Sequence, residues 1–171
     1  MTDPAPEQES SAGSFVLFGC VAVFGALAAT GVHGYLKFVR NAKQAEAKNA
    51  LGEISKDAVM AYEATGHVCP SASRPVPADT SAIRGKVYAS SPSEWAADKP
   101  TKAGFACLAW SMALPQRYQY EYEATPTSFV ARAHGDLDGD GVVSTYEFRG
   151  ALTSNGHLLI EPRITEIDPD E

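Results

Sequence analysis

The sequence predicts an α+β fold, in which one long N-terminal helix packs on a C-terminal antiparallel β-sheet. Residues 15–36 carry no side chain that is charged at neutral pH, and residues 37–64 are rich in helix-forming alanine, lysine and glutamate. From Gly104 onward, apolar and polar residues alternate in the manner of strands. The predicted parts are an acidic leader over 1–14, a helix in two halves over 15–36 and 37–65, and a loop-plus-sheet domain over 66–171.

The first half of the helix is an uncharged run, FVLFGCVAVFGALAATGVHGYL. A helix over this run, at ~1.5 Å per residue, is about 33 Å long, which matches the core of a bilayer. We therefore expect the first half to span a membrane. A cleavable signal peptide is the alternative, but no basic residues precede the run.

The second half of the helix is predicted to be amphipathic. Its apolar stripe consists of Ala47, Leu51, Ile54 and Ala58, which recur at intervals of three or four residues. Gly66 is a suitable residue to end the helix. We expect this stripe to lie on the sheet.

A distinctive pattern covers residues 25–54, GALAATGVHGYLKFVRNAKQAEAKNALGEI. It consists of a glycine, Leu-Ala-Ala, a tyrosine, Lys-Phe and a run of the form R-x-A-K-Q-x-E-A-K, formed by Gly25, Leu27, Ala28, Ala29, Tyr35, Lys37, Phe38, Arg40, Ala42, Lys43, Gln44, Glu46, Ala47 and Lys48. In this pattern the chain resembles the type IV pilins and the type II secretion pseudopilins.

The resemblance implies a pilin-like fold and a structural role. The subunit would be anchored in the membrane through residues 15–36 and would assemble there with copies of itself or with other pilin subunits. It would be a single-pass inner-membrane protein whose C-terminal domain lies in the periplasm or on an extracellular filament. The positive-inside rule, applied alone to the basic residues after the run, would place that domain in the cytoplasm. The resemblance implies the periplasmic side instead.

The leader departs from the pilin pattern. Counting back from Gly25 places the first mature residue at Ala12 and the fifth at Val16, where pilins carry glutamate. A second hypothesis therefore stands beside the filament subunit: a non-polymerising, inner-membrane-anchored periplasmic protein with a calcium-binding loop.

The three cysteines predict one disulfide. Cys20 lies in the uncharged run, which leaves Cys69 and Cys107 to pair. Their cross-link would indicate an oxidising compartment. Two buried free thiols are the alternative.

The period-two segments predict the strands of an antiparallel meander. They cover residues 105–112, 117–124, 127–134, 142–152 and 158–160, with Pro, Asn-Gly and Asp-Gly turn signals between them. Tyr118, Tyr120 and Tyr122 alternate within the second segment, which favours a core or interface over a ligand-stacking surface.

Residues 136–147, DLDGDGVVSTYE, match the twelve-residue calcium loop of an EF-hand. The ligand positions fall on Asp136, Asp138, Asp140, the Val142 carbonyl, Ser144 and Glu147, with Gly141 at the turn. The flanking sequences are strand-like, however, and on an extended strand Glu147 would lie ~17 Å beyond Val142. We therefore expect at most a reduced, structural calcium site, and an acidic turn without metal is the alternative.

The remaining composition argues against two classes of function. The net charge is −7 and the sequence has no stripe of basic residues, so it does not predict a basic surface that binds nucleic acid. No arrangement of serine, cysteine and histidine suggests a nucleophile, so we do not expect an enzyme.

Overall fold

The computed structural model describes residues 12–169, with side chains from residue 41 onward and those of Tyr35, Phe38 and Val39. The chain divides into two compact units, Met1–Asn41 and Ala42–Glu171. The helices are α1 (Ala12–Thr65), α2 (Pro92–Trp95) and α3 (Gly104–Leu108). The strands are β1 (Tyr118–Thr125), β2 (Ser128–Gly135), β3 (Ser144–Leu152), β4 (Leu158–Ile160) and β5 (Thr165–Ile167). Residues 1–11 of the predicted leader lie outside the described residues.

The prediction that residues 15–36 form a membrane-spanning helix is wrong for this structure. Within residues 12–169, no helix is both long enough and apolar enough to cross a membrane. Of residues 15–36, the structure describes one side chain, that of Tyr35. From residue 41 onward α1 is amphipathic and carries charged side chains, among them Lys43, Glu46 and Lys48. The single-pass inner-membrane location inferred from that half is withdrawn with it.

The α+β architecture itself is present, because part of α1 packs on an antiparallel sheet. Ala47, Leu51, Ile54 and Ala58 are buried and share one core with residues of β1, β2 and β3. They are the predicted stripe. Burial of such a stripe against a sheet, rather than helix propensity alone, is what stabilises a helix of this composition.

The sheet has the strand order β1–β2–β3–β4, and β5 also pairs with β3. All of these pairs are antiparallel. The strands predicted over 117–124, 127–134, 142–152 and 158–160 are confirmed to within two residues. The inward side chains of β1, Tyr118, Tyr120 and Tyr122, are fully buried, so these tyrosines belong to the core.

The predicted strand over 105–112 is wrong, because this segment begins with the short helix α3. Phe105 and Leu108 are both buried, and a spacing of three residues matches a helix turn. Trp95 from α2 meets Phe105 and Trp110 edge to face, with ring centroids 5.0 and 4.8 Å apart. Aromatic packing holds this loop-rich segment against β1.

Cys69 and Cys107 lie at disulfide distance, 2.00 Å between sulfurs, as predicted. The bond joins the segment after α1 to α3. The same segment covers the outer edge of β1, where Ala72 N–H donates to the Tyr122 carbonyl and Val76 exchanges hydrogen bonds with Tyr120. An edge strand covered in this way is protected from pairing with other chains.

Candidate metal site in the β2–β3 hairpin

The aspartate-rich loop is the connection between two paired strands. β2 ends at Gly135 and β3 begins at Ser144, and these two residues face each other in the ladder. Ser144 Oγ donates a hydrogen bond to the Gly135 carbonyl at 3.0 Å. The loop is therefore closed at its base by strand pairing, without the two flanking helices of an EF-hand.

Asp136, Asp138 and Asp140 come together within this loop. One carboxylate oxygen from each lies within 4.8 Å of the others. Asp136 is buried, whereas Asp138 and Asp140 are exposed. Three carboxylates this close repel one another unless a positive charge lies near them. The group can hold a metal ion.

Asp136 organises the loop through backbone hydrogen bonds. Its Oδ1 accepts from Gly139 N–H at 2.7 Å, and its Oδ2 accepts from Gly141 N–H at 3.1 Å. Gly139 and Gly141 have φ angles of 86° and 101°, a region that favours glycine. The two glycines thus let the backbone turn around the Asp136 carboxylate.

Each of the two exposed aspartates accepts a hydrogen bond from the backbone N–H two residues further along the chain. Asp138 Oδ1 accepts from Asp140 N–H at 3.2 Å, and Asp140 Oδ1 accepts from Val142 N–H at 2.7 Å. Side-chain turns of this kind are a local property of aspartate in loops. Each carboxylate oxygen still has lone pairs for a cation.

A segment that is distant in the sequence also reaches this loop, and no local pattern predicts this contact. Arg84 Nε lies 3.3 Å from Asp136 Oδ2, and Gly85 N–H donates to the Asp136 carbonyl at 2.8 Å. A Cβ added to Gly85 would lie 3.3 Å from Gly139 Cα, so glycine permits the close approach of the two backbones. The guanidinium of Arg84 offsets part of the negative charge of the aspartates.

Glu147 is not brought to the aspartates. It lies on β3 opposite Arg132, whose Nε is 2.7 Å from Glu147 Oε2. Arg149 Nε donates to the other oxygen at 2.6 Å. Partial burial acts to raise the Glu147 pKa, but these two arginines outweigh it and hold that pKa below its ordinary value.

The other two predicted ligands lie at the end of the loop. Val142 is exposed and its N–H is used by Asp140. Ser144 is buried, and its hydroxyl donates a hydrogen bond to the Gly135 carbonyl. Of the four predicted carboxylate ligands, the structure thus gathers those of Asp136, Asp138 and Asp140.

Comparisons with known proteins add no relative. No family model, curated protein or solved structure matches this chain. The pilin resemblance therefore rests on the sequence pattern in residues 25–54.

Proposed function

We propose that this protein is a pilin-like structural subunit that assembles into a filament through the first part of α1. The observation that carries this proposal is the packing on an antiparallel sheet of the α1 stripe, which overlaps the end of the pilin-like pattern in the sequence. The disulfide between Cys69 and Cys107 lies after α1, within the predicted loop-plus-sheet domain, and pilins often carry a disulfide in their C-terminal part.

Exposed aromatic residues in α1 give the assembly a specific surface. Tyr35 is 66% exposed and Phe38 is 71% exposed. Both belong to the resemblance pattern, and their spacing of three residues places them on one side of a helix. Large apolar side chains of this kind are stabilised when a second copy covers them.

The test of assembly is the presence of the protein in sheared filaments. Cells that produce the full-length chain are sheared, and the filament fraction and the cells are each probed for the protein. We expect the wild-type chain in the filament fraction, and loss from that fraction when Tyr35 and Phe38 are both replaced by alanine.

The matched control is Met60→Ala. Met60 lies on the same helix and is 53% exposed, but it is outside the resemblance pattern. Its replacement should leave the filament fraction unchanged. Absence of the wild-type protein from sheared filaments would contradict the proposal and would favour a non-polymerising protein of pilin shape.

A second proposal concerns the aspartate loop, which we infer binds calcium in a structural role. Calcium–oxygen distances are about 2.3–2.6 Å, so oxygens on opposite sides of one ion lie at most about 5 Å apart. The three carboxylate oxygens, within 4.8 Å of one another, meet this condition. Calcium also accepts irregular coordination completed by carbonyls and waters, which suits a hairpin loop.

The test for calcium is a thermal unfolding series with added calcium, added magnesium or chelator. An ion that binds only the folded state at 100 times its dissociation constant adds about 2.7 kcal/mol of stability. We expect calcium to raise the midpoint and Asp138→Asn to abolish most of the increase. No change at millimolar calcium would remove the metal from the proposal.

Arg84→Gln is expected to change calcium affinity in the opposite direction from Asp138→Asn. The guanidinium lies beside Asp136 and competes with a cation for the same carboxylate. We expect its removal to strengthen calcium binding. Arg74→Gln removes an exposed arginine that makes no described salt bridge to the loop, and it should leave calcium binding unchanged.

A further inference from the structure

A small basic pocket lies beside the aspartate loop and shares Leu137 with it. Three cationic residues line it: Lys43 from α1, Lys86 from the loop before α2, and Arg117 directly before β1. Gly85, Val87 and Leu137 complete the wall of a cavity of about 200 Å³. Residues that are distant in the sequence thus place three positive charges around one cavity.

The arginine of this pocket is held in place by its neighbours. Arg117 N–H donates to Glu46 Oε1 at 2.6 Å, and Arg117 Nη1 donates to Glu46 Oε2 at 3.1 Å. A guanidinium has five N–H donors, so this ion pair leaves donors available. Glu46 therefore orients Arg117 without using its full capacity.

The two lysines make no ion pair with any side chain that the structure describes. The salt bridges among the described side chains use Lys48, four arginines and, when it is protonated, His134, and neither Lys43 nor Lys86 takes part. The cavity is therefore lined by three cations, of which Arg117 is paired with the carboxylate of Glu46. The aspartate loop adjoins the cavity at Leu137, and there Arg84 pairs with Asp136, one of its three aspartates.

Three cationic side chains line one cavity in a chain whose net charge is −7. A phosphate monoester carries a charge of about −1.5 to −2 near neutral pH and offers three acceptor oxygens. Its three oxygens match the number of cationic side chains that line the cavity. Arginine and lysine are the side chains that proteins use to bind phosphate groups.

We propose that the pocket of Lys43, Lys86 and Arg117 binds the phosphate group of a small organic phosphate ester. The cationic side chains take the phosphate oxygens, and Leu137 and Val87 provide apolar surface for the carbon part of the ester. This site is independent of the filament and calcium proposals, because it uses none of the three aspartates and neither Tyr35 nor Phe38.

Calorimetric titration of the full-length protein with phenyl phosphate tests this inference. The titration is done with chelator present, in a buffer without phosphate and at constant ionic strength. We expect saturable binding of one phenyl phosphate per chain. Lys43→Gln and Lys86→Gln should each weaken it about tenfold, the size expected for one charge-assisted hydrogen bond.

The controls separate a built site from general attraction to positive charge. Lys56→Gln removes the same charge from an exposed position of α1 outside the pocket, and binding should be unchanged. Benzoate, which has the same ring with a single charge, should bind more weakly than phenyl phosphate.

Three results would overturn the proposal. They are the absence of saturable binding, an equal loss of affinity in Lys56→Gln, and equal affinity for benzoate. Far-ultraviolet circular dichroism of each variant shows that a lost signal does not come from unfolding.

Discussion

At the scale of single residues, the structure separates carboxylates that share a loop from one that belongs to a strand. Asp138 lies with Asp136 and Asp140, whereas Glu147 is paired with Arg132 and Arg149. We expect Glu147→Gln to leave calcium affinity unchanged. It should instead lower the free energy of unfolding by about 1 kcal/mol, because partly exposed ion pairs contribute little more than that.

Asp138→Asn gives the contrast. Asparagine keeps the oxygen that accepts from Asp140 N–H, so the turn is retained while one negative charge is lost. Calcium titration of both variants, beside urea unfolding, measures the two effects separately. A parallel loss of calcium affinity in Glu147→Gln would place Glu147 in the coordination sphere and contradict the hairpin geometry.

At the scale of elements, the sheet depends on a glycine that faces an aromatic ring. Gly150 of β3 pairs with Phe129 of β2, and a Cβ at Gly150 would clash with the Phe129 ring. Gly150→Ala is expected to cost about 1–3 kcal/mol, the usual range for overpacking in a core. In a Phe129→Leu background the same change should cost much less, because the obstructing ring is gone.

A double-mutant cycle by urea unfolding measures this coupling. Ala151→Ser, at an exposed neighbouring position of β3, is the control and should change stability by less than about 0.5 kcal/mol. An equal cost of Gly150→Ala in both backgrounds would mean that backbone preference, rather than the ring, sets the requirement for glycine.

The elements that sequence predicts well are those with a local cause. The alternation of Tyr118, Tyr120 and Tyr122 with polar residues determines which side of β1 is buried, so that strand is predicted correctly. Phe105 and Leu108 are also consistent with a strand in a short apolar run, and only packing against Trp95 and Trp110 favours the helix.

The same division applies to the candidate site. Three aspartates at alternate positions of one turn are close in sequence, so their cluster is predictable. Arg84 reaches Asp136 only because the chain folds back on itself, and no local sequence pattern predicts this contact. For residues 15–36, the absence of charge predicted a membrane-spanning helix, and the described structure contains no such helix.

At the scale of the whole molecule, the disulfide joins two segments with a sequence separation of 38 residues. In the chain-entropy account, such a cross-link adds about 3–4 kcal/mol by restricting the unfolded chain. We expect replacement of Cys69 and Cys107 by serine to lower the free energy of unfolding by this amount. Both proteins should carry Cys20→Ser, so that thiol exchange does not complicate the comparison. An unchanged unfolding midpoint would show that aromatic packing alone holds the segment.

The buried tyrosines make the whole fold sensitive to alkaline pH. Burial raises the pKa of Tyr118, Tyr120 and Tyr122 well above the ordinary value, and nearby acidic charges raise that of Tyr120 further. In the unfolded chain these phenols lose their protons near about pH 10. Above that pH the unfolded state binds fewer protons than the folded state, so stability falls as pH rises, whereas below it the contribution is constant.

Spectrophotometric titration of the seven tyrosines at alkaline pH, recorded beside circular dichroism, measures this effect. We expect at least three phenols to ionise in one cooperative step that coincides with unfolding. Tyr122→Phe should remove one phenol from that step. It loses only a hydrogen bond of 3.3 Å to the Cys69 carbonyl, so the fold should persist at neutral pH. Ionisation of all seven tyrosines near pH 10 in a protein that is still folded would contradict the burial of β1 beneath α1.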